Sequence, residues 1–144
     1  MSREDVARVD SRSIAAWAKH DVEGVVAMLA DKFVWTDVGL PEPMRSLDEV
    51  RAYVGGWIEA FPDLGLEQTN RVVDDDAVAG ELVFTGTNNG PLGVAGTRLP
   101  PTGRSVVGRG AYFARFEGDK VVEFHAYPDL AGMMMQLGMM PAAG

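Results

Sequence analysis

A change of hydrophobic period at Pro62 divides this chain into a helical first part and a strand-rich second part. Before it, Ser46-Leu47-Asp48-Glu49 has the S-x-x-E form of a capping box, and Val50, Tyr53, Val54, Trp57, Ile58 and Phe61 recur at helical spacing. Proline lacks the amide donor that the helix would need next, so the helix stops. After it come extended runs over Leu64–Asp74, Ala77–Asn88, Arg104–Glu117 and Lys120–Tyr127, with Asp74-Asp75-Asp76 and Glu117-Gly118-Asp119 as hairpin turns. Helices followed by a meander of strands predict an α+β domain rather than alternating parallel units.

The segment before the capping box fits that order. Val6, Val9, Ser13, Ile14 and Trp17 give a one-sided helix over Arg3–Lys19, and Asp21 caps a second, Val22–Ala30. Lys32–Val38 reads as a strand with Phe33, Trp35 and Asp37 on one face, where Asp37 either closes an Asx-type turn or faces a cavity. Three helices against one face of a strongly curved sheet leave a pocket between them. Residues 89–103, NGPLGVAGTRLPPTG, read as a long Gly/Pro loop of functional or mobile character. No composition break interrupts residues 1–144, so one domain is expected.

Charge and composition exclude several partners. A net charge of -8 without a Lys/Arg cluster does not suit a phosphate backbone, so no nucleic-acid partner is expected. No apolar run is long enough to span a bilayer, and MSREDVARVD is too charged for a signal peptide. With no cysteine, a cytoplasmic setting is the natural expectation. Two histidines and no H-E-x-x-H predict no metal site, and the lack of a G-x-G-x-x-G or G-x-S-x-G motif in context predicts no nucleotide cofactor.

The chemistry-bearing stretch is Val121–Gly138, VVEFHAYPDLAGMMMQLG. Strict alternation places Val121, Glu123, His125, Tyr127 and Asp129 on one face, with Val122, Phe124 and Ala126 on the core face. Asp129 stands between the strand and a short Met-rich helix that Gly138 ends. Two readings follow for it: an N-cap, or a carboxylate at a cavity. Met133, Met134 and Met135 point in different directions around that helix, which favours packing over a lid.

Three segments carry a resemblance: residues 20–64 (HDVEGVVAML…FPDL), VFTGTNNGPLGVAGTRLPPTGRSV and DKVVEFHAYPDLAGMMMQLG. Together with FTGT at 84–87 and LPPTGR at 99–104, they resemble the SnoaL-like polyketide cyclase family of the nuclear transport factor two superfamily. The resemblance implies a cone-shaped curved antiparallel sheet with three N-terminal helices on its concave face. It also implies a cofactor-free cyclase that closes a ring by intramolecular aldol condensation, with Asp129 as general acid/base. His125 would assist by holding a substrate carbonyl or the Asp. Asp37, Trp35, Tyr112, Tyr127, Asn88, Trp17 and Trp57 are expected around the pocket, and the ligand is a small hydrophobic, polycyclic molecule.

Related chemistries on the same fold stay open. An isomerase of the ketosteroid type would use Asp37 and Tyr112, and an epoxide hydrolase would pair an Arg with two Asp side chains. A non-catalytic binding module is the third alternative. An apolar open sheet face would pair two copies, so a homodimer is expected.

Overall fold

The computed structural model describes residues 1–94 and 96–141. Helix α1 (Arg3–Ala18) and helix α2 (Val22–Val26) are followed by strand β1 (Leu29–Asp37), helix α3 (Leu47–Ala60), strands β2 (Gly65–Val73) and β3 (Ala77–Thr87), a hairpin of β4 (Leu92–Val94) and β5 (Thr97–Leu99), strands β6 (Ser105–Glu117) and β7 (Lys120–Pro128), and helix α4 (Leu130–Gln136). The main sheet has the order β1-β7-β6-β3-β2. The expected four-strand meander is its body, with β7, β6, β3 and β2 antiparallel. β1 joins the far edge of β7 in parallel, and α3 carries the chain from that edge to β2 at the other.

Each helix begins where a side chain supplies its missing acceptor. Ser2 and Asp5 form a complete capping box at α1. At α3, Ser46 Oγ accepts from the Glu49 amide at 3.2 Å, while the Glu49 carboxylate accepts from the Ser46 hydroxyl and the Arg45 amide. Between α1 and α2 the chain turns at His20, which takes a left-handed φ of 60° and donates from Nε2 to the Leu64 carbonyl at 2.8 Å.

Three expectations need correction. The second helix ends at Val26, and β1 begins at Leu29 rather than Lys32. Val25, Val26 and Leu29 are buried, a spacing that a helix or a helix-to-strand junction can satisfy equally. The Gly/Pro segment is not a structureless loop: it folds into the β4–β5 hairpin, with Ala95 outside the described residues. Its anchor is Asn88, fully buried, whose amide nitrogen donates to the carbonyls of Ala60 and Gly90 while its oxygen accepts from the amide and hydroxyl of Thr102.

The third correction concerns β7. Phe116 pairs with Val121 but Arg115 with Glu123, so Val122 is an extra residue in a bulge. Val121 therefore shares the inner face with Phe124 and Ala126 instead of standing with Glu123 and His125. α1 packs across β2 and β3, α2 rests on α3, and α4 leans on β6. Two apolar clusters result: one around Val6, Trp35, Val50 and Val121, the other around Phe61, Leu92, Met133 and Leu137.

Candidate functional site

Between the two clusters lies an inner cavity of ≈ 140 Å³, walled by α1, α3 and the concave face of the sheet. It exists because β6 presents Gly108 and Gly110 on its inner side, where side chains would fill the space. Trp17, Trp35, Trp57, Phe84 and Phe124 are the large aromatic side chains of its wall, with Tyr53 and Tyr112. The aromatic rings touch in series, from Tyr112 to Phe124 (5.5 Å), Phe124 to Trp35 (4.2 Å) and Trp35 to Tyr53 (5.7 Å between centroids).

Two buried carboxylate–tyrosine pairs stand beside this wall. Asp10, 5% exposed on α1, accepts from the Tyr112 hydroxyl at 2.6 Å, from Gln68 Nε2 at 2.9 Å and from Arg71 at 3.2 Å. Tyr112 reaches it because residue 80 is glycine: a Cβ there would come within 2.6 Å of the ring. Asp37, 4% exposed at the end of β1, accepts from the Tyr53 hydroxyl and, at 2.7 Å, from the Gly39 amide. Burial, then the neighbouring Asp37 charge, holds the Tyr53 phenol well above its ordinary range. Burial, then the hydrogen bond to Asp10, does the same to Tyr112. Both phenols stay protonated and both spend their proton on a carboxylate.

Asp129 is differently placed. It borders the cavity mouth, and its Oδ1 accepts from the Gly132 amide at 2.9 Å, which caps α4. Its Oδ2 has no hydrogen bond among the described residues. Both readings of this carboxylate hold in part: it caps α4 and borders the cavity, but it is exposed.

Of the other predicted residues, Trp17, Trp35, Trp57 and Tyr112 border the cavity. Tyr127 is at the rim with 51% of its surface exposed. His125 does not border it: it alternates with Phe124 and Ala126, which face the cavity, so its ring lies on the outer face, 6.1 Å from Phe113. Asn88 is absent from the cavity as well, since all its capacity goes to the hairpin anchor. Asp37 borders not the inner cavity but a second hollow, an outer groove of ≈ 530 Å³ between α3, the loop after β1 and the β4–β5 hairpin. Among the described residues Trp35 Nε1 is buried without a partner, a cost of roughly 1–3 kcal/mol that an acceptor reaching it would relieve.

The model of the SnoaL-like polyketide cyclase family matches residues 7–137. This chain belongs to that family. Solved structures of the same architecture include AclR of Streptomyces galilaeus, provisionally termed a hydroxylase, with 27% identity over 100% of this chain and 87% of that one and a TM-score of 0.82. IdmH of Streptomyces antibioticus, provisionally termed a polyketide cyclase, has 24% identity over 92% and 97% of the two chains and a TM-score of 0.73. A protein of Catenulispora acidiphila with a ketosteroid isomerase-like fold, solved with trimethylamine, has 15% identity over 94% and 96% and a TM-score of 0.74. No curated protein matches the chain.

Within the SnoaL-like frame, the expected cone of helices on a curved sheet is the observed fold. Among the described residues no cluster of three or more His, Cys, Asp or Glu side chains is spaced to hold a metal, and no helix is long and apolar enough to cross a membrane. Asp10, Tyr53, Gln68 and Arg71 escape sequence reading. Asp10 carried a signal all the same: it lies four residues after Val6 and three before Ser13, on the apolar stripe of α1.

Proposed function

We propose that this SnoaL-like protein is a cofactor-free acid/base enzyme acting on a small, largely hydrophobic carbonyl compound, with intramolecular aldol cyclisation as its reaction. The observation that supports this most directly is the free Oδ2 of Asp129 at the mouth of an aromatic cavity. Asp10 and Asp37 have both oxygens engaged, which makes Asp129 the carboxylate able to accept a substrate proton.

In this reading Asp129 removes a proton from a carbon between two carbonyl groups, and a substrate covering the mouth excludes water from the carboxylate. The enolate carbon attacks a second carbonyl carbon of the same molecule. The new carbon–carbon bond turns that carbonyl into an alkoxide, which takes the proton back from Asp129. Atoms and charge balance without a co-reactant. The enzyme works as a homodimer in the cytoplasm.

The competing reading is a binding module, favoured by the exposure and capping role of Asp129. One experiment separates them. Asparagine also caps helices well, so Asp129→Asn should keep α4 and ligand binding intact. Polycyclic polyketides, steroids and terpene epoxides are first screened by thermal shift, and hits are assayed for conversion. Turnover should fall about 100-fold or more in the variant. Undiminished turnover would remove Asp129 from the chemistry, and binding without turnover in the wild type would establish the module.

A further inference from the structure

The inner cavity is small for a polycyclic ligand. Its ≈ 140 Å³ matches a hollow of about 150 Å³ that takes one benzene ring, whereas sites for drug-sized molecules occupy roughly 300–1,000 Å³. The outer groove adds ≈ 530 Å³ on the other side of a partition. Tyr53, Trp57, Leu130 and Met133 border both hollows, so the partition there is one residue thick.

The geometry points to a single elongated binding site that spans both hollows, with Leu130 and Met133 as the gate between them and Tyr53 as its fixed post. This rests on the reading of the cavity as a substrate site. A ring-sized apolar end of the ligand occupies the inner cavity, and the longer remainder lies in the groove under the β4–β5 hairpin. Tyr53 is held across the passage by its hydrogen bond to Asp37, while Leu130 and Met133 close it by packing alone. Methionine adapts its shape readily, so a ligand can displace this side of the wall at small cost.

The groove also selects the chemistry of the far end. The charged side chains that border it are Asp37, Glu42 and Glu49, with no Lys or Arg among the described lining residues. A hydroxyl or another hydrogen-bond donor is accepted there, and a carboxylate or phosphate is repelled. The two hollows therefore suit an elongated ligand, apolar and ring-sized at one end and with a hydrogen-bond donor at the other.

Gly56 provides the test. It borders the groove but not the inner cavity, a Cβ built on it meets nothing within 4 Å, and it lies within α3, so Gly56→Leu fills the groove and favours the helix. Calorimetric titration compares acetophenone, an acetylanthracene with a distal hydroxyl, and the same anthracene with a carboxylate there. The hydroxylated anthracene should bind wild type best, the substitution should weaken it about tenfold or more, and acetophenone should not respond. Equal responses of the two, or wild-type binding of acetophenone alone, would overturn the two-chamber site while leaving the acid/base reading to the Asp129→Asn assay. Equal binding of the carboxylate would overturn the assignment of the far end, and binding of none of the three would overturn both readings.

Discussion

Tyr53 and Tyr112 solve the same problem at two places. A carboxylate removed from water needs donors, and a phenol supplies one without adding a charge. Because the fold raises both phenols above the tyrosine value of 10.0, it favours their protonated forms, and the stability tied to that is complete below pH 10. It is lost as pH climbs from there toward the folded-state values. In a spectrophotometric titration, two of the three tyrosines should therefore remain un-ionised past about pH 11 in the folded protein, ionising only as it unfolds. Tyr53→Phe and Tyr112→Phe should each remove one of the silent phenols, and normal ionisation of all three in the folded state would contradict the two buried pairs. At this scale the sequence was readable where alternation is regular: Phe33, Trp35 and Asp37 share a buried face as their period predicts. It misled at Val121, where one extra residue at Val122 exchanges the faces upstream of Glu123, and periodicity has no means of announcing a bulge. Asp10 was missed for another reason: its burial depends on Tyr112, 102 positions away in the chain, and on Gln68 and Arg71.

Elements with their own start and stop signals were legible, and those defined by a distant partner were not. Ser46 and Pro62 bracket α3 within the chain itself, so its extent follows from local chemistry. The β4–β5 hairpin has no such local signal, since Gly and Pro dominate its composition and its order comes from Asn88, which ties Gly90 and Thr102 to the end of α3 at Ala60. The hairpin in turn forms one wall of the outer groove. Asn88→Ala deletes all four of these hydrogen bonds in a fully buried place, and should cost about 2–4 kcal/mol of unfolding free energy, read from denaturant melts. Amide exchange should accelerate over residues 92–94 and 97–99 more than in β3 or β6. A uniform change, or no change in the hairpin, would mean that Leu92, buried against Phe61 and Val106, holds it instead. Asp129 joins the two kinds of element: its capping role is local and was visible, whereas its position at a cavity mouth required β6 and α1 to be in place.

For the whole molecule, the sheet leaves its outer side to solvent, and that side is not wholly polar. Val107, Phe113 and Tyr127 are 60%, 37% and 51% exposed on neighbouring strands, with Ala111 paired to Tyr127 and Phe113 paired to His125. An isolated apolar residue on a surface means little, but Phe113 and Tyr127 lie together around Ala111, with Val107 beyond Arg109 on the same strand face, the kind of patch that marks an interface. In the proposed homodimer a second copy would meet it with the same residues about a two-fold axis, and a stable interface of this type buries roughly 1,200–2,000 Å² in total. The polar ends of the patch, where Arg115 bonds Glu123 at 3.0 Å, fit a rim rather than a centre. Sedimentation equilibrium should then give a dimer for the wild type and a monomer for Phe113→Asp, whose charge would be buried without a partner. The inner face is untouched by this substitution, so the monomer should keep its far-ultraviolet spectrum and its ligand affinity. A wild-type monomer at micromolar concentration would refute the interface, as would a Phe113→Asp dimer. If the monomer instead loses ligand binding, the copies support each other's cavities through β6, whose alternate residues face Phe113's side and the cavity in turn.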